Sequence, residues 1–338
     1  MKNILVVSVN WLGDAVFETP VFRALKTKYP GSWITCLCVP RVADVLAMCP
    51  DIDEIMVYDE RGKDQPFFSR VFLIMKILKK RFDAAFILRK SLSRSLLLML
   101  AGIPLRIGFA DKSWDWLLTH VVDDDGLDEK HRSDVYVSVV ESLGISTWDR
   151  SCRLVAPESF VRGVRESLAQ KGISDQDRLI AVNTGGNWNL KQWPPEKFAE
   201  LVRKVYARGL GKVVLPGAVK DVDRVNQIAA LSGVSPIVMA GETGIKCLAG
   251  LFTRVNLLIT ADTGPLHLAS ALGASVISIF GPTRPEITGP RGPGRAVILQ
   301  KDVGCNRAPC YYLECGDNKC MKEVSVEDVL QAIQQIQS

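Results

Sequence analysis

The chain reads as an α/β protein made of two doubly wound parallel sheets, one in each half. Three observations point there. Short apolar runs alternate with amphipathic stretches of helical period. The alternation fades over residues 123–157 and restarts at Leu179. Several of the apolar runs end in polar, glycine-bearing turns, which is where open α/β sheets carry their ligands. A length of 338 residues suits two domains, and the pattern divides them as 1–155 and 156–338.

In the first half Ile4–Val9 reads as a buried strand and Asp14–Tyr29 as a helix with a lysine-rich end before Pro30-Gly31. Strands follow at Trp33–Val39 and Ile55–Tyr58, then a helix at Phe67–Arg81, a strand at Ala84–Leu88, a helix at Ser91–Ala101 and a short strand at Arg106–Phe109. Asp123–Glu129 is acidic and loop-like, Ser133–Leu143 is helical, and Gly144–Pro157 has the composition of a linker. In the second half strands are expected at Leu179–Asn183, Lys212–Leu215, Ile237–Met239, Leu257–Thr260 and Ser275–Phe280. Helices are expected at Pro195–Arg208, Asp221–Leu231, Thr243–Phe252, Leu268–Leu272 and Val326–Ile336. The halves repeat an architecture and not a sequence. Two such domains facing each other place a ligand cleft between the carboxyl ends of both sheets.

Composition narrows the function. The net charge of +5 suits an acidic small-molecule partner but is far from a nucleic-acid tail. No run approaches a membrane span. The segment Met1–Val7 lacks the length and cleavage site of a signal peptide. A cytoplasmic protein with mostly free thiols is therefore expected from its nine cysteines.

Four strand-end turns carry polar signals. Asn10-Trp11-Leu12-Gly13-Asp14 lacks the GxGxxG pattern of dinucleotide dehydrogenases. There Asp14 is either a first-turn carboxylate that stabilises its helix or a general base toward an acceptor hydroxyl. In Asn183–Pro194, Gly185 and Gly186 allow close backbone approach beside Asn187, and Lys191 is either a phosphate partner or a solvated lysine. In Leu215–Asp221, Asp221 either caps a helix or accepts from ribose hydroxyls. The fourth turn, Ala261-Asp262-Thr263-Gly264-Pro265-Leu266-His267, opens a helix whose N–H groups suit a phosphate, with Asp262 and His267 alongside. Three histidines leave little room for a histidine metal centre, and Asp123-Asp124-Asp125 reads as solvated.

These motifs together resemble the lipopolysaccharide heptosyltransferases, glycosyltransferase family 9. The resemblance rests on Asn10–Asp14 with Thr19-Pro20 and Arg23-Ala24-Leu25, and on Gly185-Gly186 with Lys191-Gln192-Trp193-Pro194. It also rests on Asp262–His267 and on Gly281-Pro282-Thr283 with Pro285 and Gly289-Pro290. Ala101–Pro104 with Arg106 and Gly108 is most similar to the heptosyltransferase II branch. The resemblance implies a GT-B fold and an inverting, metal-independent transfer of heptose from ADP-heptose to a heptose of the lipopolysaccharide inner core. It implies Asp14 as base, with Gly13 beside it, and Gly186, Asn187, Lys191, Asp221, Asp262, Thr263, Gly264 and His267 around the donor.

Arg61, Lys63 and Arg94, after the third and fourth strands, are acceptor candidates because the inner core is anionic. The helix Phe67–Arg81 is broadly apolar with a basic end, and either covers the sheet or rests on an anionic inner-membrane leaflet. Cys305, Cys310, Cys315 and Cys320 are evenly spaced but lack the C-x2-C knuckle, so free structural thiols are expected over a structural metal. No cofactor and no nucleic-acid partner are expected. The alternatives are a relative with another nucleotide-sugar donor or acceptor, a nucleotide-sugar epimerase, or a binding protein.

Overall fold

Runs such as Ile4–Val7 and Leu257–Ile259 are apolar at consecutive positions, which suits strands covered on both faces. In the computed structural model, which describes residues 1–60, 62, 67–186, 188–305, 310 and 315–337, they are such strands and are fully buried. The chain divides into two compact units, Met1–Val155 and Ala156–Ser338.

The first unit runs β1 (Asn3–Val7), α1 (Leu12–Phe17), α2 (Thr19–Lys28), β2 (Trp33–Cys38), α3 (Pro40–Leu46), β3 (Glu54–Val57), α4 (Phe67–Lys80), β4 (Ala84–Ile87), α5 (Leu92–Leu100), β5 (Leu105–Phe109), β6 (His120–Val122) and α6 (Arg132–Glu141). Its sheet has the order β3-β2-β1-β4-β5-β6, with every ladder parallel. Leu73 and Ile77 of α4 and Leu97 and Leu98 of α5 bury against Leu5, Val7, Met56 and Ile87 of the strands. Helices α1, α2, α3 and α6 pack among themselves, on the opposite face that right-handed crossovers require.

The second unit runs α7 (Glu158–Gln170), β7 (Leu179–Asn183), α8 (Pro195–Ala207), β8 (Lys212–Gly217), α9 (Val222–Ser232), β9 (Ile237–Ala240), α10 (Ile245–Arg254), β10 (Leu257–Ala261), α11 (Gly264–Ala271), β11 (Val276–Phe280), α12 (Pro285–Thr288), β12 (Ala296–Gln300), α13 (Lys319–Lys322) and α14 (Val326–Gln337). Its order, β12-β11-β10-β7-β8-β9, repeats that of the first sheet, again all parallel. The strand order reverses between β1 and β4 in one unit and between β7 and β10 in the other. These are the switch points at which such sheets bind ligands.

Three departures from the sequence reading have local causes. The helix expected over Asp14–Tyr29 is broken into α1 and α2 at Glu18. Pro20 has no N–H to continue the ladder, and the Glu18 carboxylate turns back to accept from Ser8 Oγ at 2.6 Å and Val9 N at 3.1 Å. The expected linker, Gly144–Pro157, is mostly a strap on the first unit. Arg23 donates to Asp149 Oδ2 at 2.8 Å and to the Ser151 carbonyl at 2.9 Å, Cys152 and Leu154 are buried, and Val155 N donates to Met48 O. The elements α3, β6, α7 and β12 were not foreseen. The two missed strands lie at sheet edges and are short or half-exposed, as at Ala296–Gln300, so they lack the continuous apolar run.

Among the described residues no helix is long and apolar enough to cross a membrane. Trp193 ties the chain end to the second core. It is fully buried, donates from its indole to Val324 O at 3.0 Å, and meets Phe198 edge-on at 5.0 Å. Trp193→Ala is expected to cost about 3–5 kcal/mol, measured by urea unfolding. A loss near zero would mean that this anchor does not hold α14 in place.

Candidate active site

The parallel ladders bring the polar turns of each unit to one sheet edge. In the first unit the turn after β1 leads into α1, and Asp14 lies in the first turn of that helix, not at its cap, which is Trp11. A first-turn carboxylate is favoured by the helix dipole. Its Oδ1 accepts from Tyr136 Oη of α6 at 2.7 Å. Burial pushes the Tyr136 phenol well above its ordinary range, and the Asp14 charge pushes it further, so it stays a donor. Glu18 lies one turn on. Burial raises its carboxyl well above the usual range despite its bonds from Ser8 and Val9. Nearby, Asn10 Oδ1 is buried with no hydrogen-bond partner among the described residues. Such atoms mark places that a ligand or water completes.

In the second unit Asp262, at the end of β10, organises the switch point. Its Oδ2 accepts from Lys191 Nζ at 2.6 Å, Thr283 Oγ1 at 2.7 Å and Thr288 Oγ1 at 3.4 Å. Its Oδ1 lies 3.4 Å from His267 Nε2. Burial alone would raise this carboxyl. His267 and Lys191 outweigh it and hold the group well below the ordinary carboxylate range. Thr263 is the N-cap of α11 with no side-chain cap bond. Pro265 has no N–H and Leu266 N donates to Thr263 O, so the Gly264 N–H is the first-turn donor suited to an anion.

The β7 turn packs onto this one. Asn183 Nδ2 donates to Thr260 Oγ1 at 2.9 Å. A Cβ on Gly186 would come within 3.4 Å of Thr263 Cγ2, and one on Gly185 within 2.7 Å of Asp221 Oδ2. Gly185 is therefore tight against Asp221, whereas Gly186 leaves room for an ordinary contact with Thr263. Asp221 itself accepts from Ala218 N at 3.0 Å and closes its own turn.

The structure therefore brings together Lys191, Asp262, Thr263, Gly264, His267 and Gly186, and places Asp221 beside Gly185. Gly13 precedes Asp14 within α1. Asn187, Arg61 and Lys63 lie outside the described residues. Arg94, expected among the acceptor contacts, is buried. It is 2% exposed, its guanidinium sits over the Tyr58 ring at 4.8 Å, and its Nε is 3.4 Å from Glu60 Oε2. It sits on the buried side of α5, the third position after the Ser91 cap, and its N–H donates to Ser91 Oγ. Lys90 pairs with Asp124 at 2.8 Å, so that part of the acidic run is not merely solvated.

Thr283 is marked by the sequence only as part of the Gly281-Pro282-Thr283 motif, without a site role, and Thr288 and Tyr136 were missed by sequence reasoning. Thr288 follows that turn, but Tyr136 sits in a helix with no distinguishing pattern. None of the nine cysteines is in a disulfide. Cys305, Cys310, Cys315 and Cys320 line one cavity of about 380 Å³ with Gly281 and Pro282. Among the described residues no three His, Cys, Asp or Glu side chains are gathered to hold a metal ion.

The profile of glycosyltransferase family 9 (heptosyltransferase) matches residues 70–315. The chain belongs to glycosyltransferase family 9. It is 25% identical over 347 residues to lipopolysaccharide heptosyltransferase 2 of Salmonella typhimurium, covering 99% of each chain. The glycosyl transferase family 9 structure from Veillonella parvula superposes with a TM-score of 0.87 at 27% identity, covering 99% of this chain and 97% of that one. The E. coli ADP-heptose lipopolysaccharide heptosyltransferase II superposes with a TM-score of 0.80 at 23% identity, covering 99% and 98%. The two doubly wound units are thus those of a GT-B glycosyltransferase, as the motif resemblance implied.

Asp262→Asn removes the counter-charge of Lys191 and is expected to destabilise the second unit by about 3 kcal/mol near neutral pH. The Asp262 carboxyl is depressed in the folded protein. Its contribution is therefore complete above the unfolded carboxylate value of about 3.9 and is lost as pH falls through the lower folded value. The gap in urea midpoint between variant and parent should narrow in acid. A gap that stays constant from about pH 7 to about pH 3 contradicts this.

Proposed function

We propose that this family 9 enzyme transfers heptose from ADP-heptose to a heptose of the lipopolysaccharide inner core, with inversion and without a metal ion. The observation that carries the substrate assignment is the end-to-end likeness to lipopolysaccharide heptosyltransferase 2. In the proposed reaction the Asp14 carboxylate takes the proton of the acceptor hydroxyl. The freed oxygen attacks the anomeric carbon from the face opposite the nucleotide, and the bond from that carbon to the phosphate oxygen breaks. The developing charge on ADP is met by Lys191 and by the Gly264 N–H. Gly186 and Asn187 line the donor, Asp221 lies toward the ribose, and Asp262 and His267 hold Lys191 and the turn.

Residues 1–155 take the role of acceptor domain and residues 156–338 that of donor domain. The anionic acceptor is assigned to basic positions after β3 and β4, Arg61 and Lys63 among them, with Arg94 as the buried anchor of Glu60. The proposed location is cytoplasmic, in keeping with nine cysteines of which none is in a disulfide.

Asp14→Asn is expected to lower kcat by about 10²–10⁴ while ADP affinity is unchanged. Full transfer activity in that variant removes Asp14 from the mechanism. Tyr136→Phe deletes one hydrogen bond to the carboxylate and is expected to lower kcat by about tenfold with little change in KM. Lys191→Ala is expected to weaken ADP binding by about tenfold, measured by calorimetry. If ADP-heptose is not consumed in the presence of a truncated core acceptor while another ADP- or UDP-sugar is, the donor assignment is wrong and the fold assignment stands.

A further inference from the structure

Helices α4 and α5 bury one side against the sheet and turn an apolar side to solvent. On α4, Phe72, Met75 and Leu78 are exposed, Phe72 by 66% and Leu78 by 53%. On α5, Leu92, Leu96 and Leu100 recur at helical spacing and are exposed, Leu100 by 56%. The two helices pack side by side, and a Cβ on Gly102 would lie 3.6 Å from Leu78 Cδ1, so the stripes meet at the end of α5. Trp116, in the single 3-10 turn Asp115–Leu117 that packs on α5, is 66% exposed.

A sheet-covering helix needs only one apolar face. These two have a second that the fold does not use, and contiguous patches of this kind mark interaction sites.

The charge on the two helices has one sign, with Asp115 beside Trp116 at the border. Neither α4 nor α5 contains an acidic residue, and Lys76 and Lys79 stand exposed one turn on from Phe72 and Met75. Apolar side chains interleaved with lysine, with a tryptophan at the border, form the pattern of a surface that lies in a bilayer interface. A protein partner would need matching carboxylates and apolar groups, whereas an anionic leaflet supplies headgroup charge over acyl chain at every point.

We propose that the α4–α5 face docks on an anionic lipid bilayer, with Phe72, Leu78, Leu96 and Leu100 entering the interface and Lys76 and Lys79 meeting the headgroup phosphates. No residue of this face has been placed in the donor or acceptor machinery. The vesicle sedimentation needs no substrate, so its outcome is independent of the transfer reaction.

The full chain is sedimented with vesicles of phosphatidylcholine alone or mixed with phosphatidylglycerol, at low and at raised salt. The expected result is binding to the mixed vesicles only, weakened by salt. Phe72→Asp with Leu96→Asp is expected to cut the partition coefficient at least about tenfold, and Lys76→Glu with Lys79→Glu by a similar factor. Circular dichroism and activity on a soluble truncated acceptor should stay unchanged in both. Parent protein that stays in the supernatant with mixed vesicles overturns the proposal. So does a Phe72/Leu96 variant that binds like the parent. Self-association of the parent that this variant abolishes, without vesicle binding, assigns the face to a second copy instead.

Discussion

Every ladder in both sheets is parallel, and this constraint decides where chemistry can happen. A parallel strand must be re-entered from its starting end, so every loop that follows a strand opens on one edge. All the polar turns of a unit therefore collect on that edge, whatever their separation in sequence. Lys191 and Asp262 are 71 positions apart and form an ion pair. Asp14 and Tyr136 are 122 apart and share a hydrogen bond. The strand order reverses at the centre of each sheet, and the two flanking helices diverge there. Neither pair depends on the other unit.

Asp262 shows how one carboxylate stabilises a site built from several loops. It takes hydrogen bonds from the β7 turn through Lys191 and from the β11 turn through Thr283, and it adjoins α11 through His267. A neutral residue there would leave a half-buried ammonium and a hydroxyl in search of partners, and the three turns would lose their common centre. The first unit holds its carboxylate with less. Asp14 receives one phenolic donor, and Glu18, one turn away, is held apart by bonds to Ser8 and Val9.

Much of the fold was legible because central parallel strands are continuous apolar runs. Leu179–Asn183 appears in the structure with the expected bounds, and the central strands β1, β4, β10 and β11 lie within a residue or two of theirs. Of the four edge strands, β3 and β9 were legible, whereas β6 and β12 were not, since they alternate or are short and resemble loops. The four site turns were legible from glycines and charges at strand ends. What a turn carboxylate touches was not. Asp221 proved to close its own turn, and Arg94 proved to be buried over Tyr58, because a basic residue in the first turn of a helix faces solvent or sheet according to a 100° rotation that no local pattern fixes. Tyr136 was invisible for the same reason: its importance lies in its partner, and the partner is distant in sequence.

The Lys191–Asp262 pair bears on how a reaction cycle would end. A lysine that binds a diphosphate strongly is slow to give it up, and product departure limits many transferases. Here the ammonium already has a carboxylate within 2.6 Å. As a nucleotide leaves, the protein's own anion can reclaim the lysine, so the cation is never stranded in a half-buried site. Under the proposed role of Lys191, the resting ion pair is an internal competitor that would lower the affinity for bound nucleotide and hasten its exit.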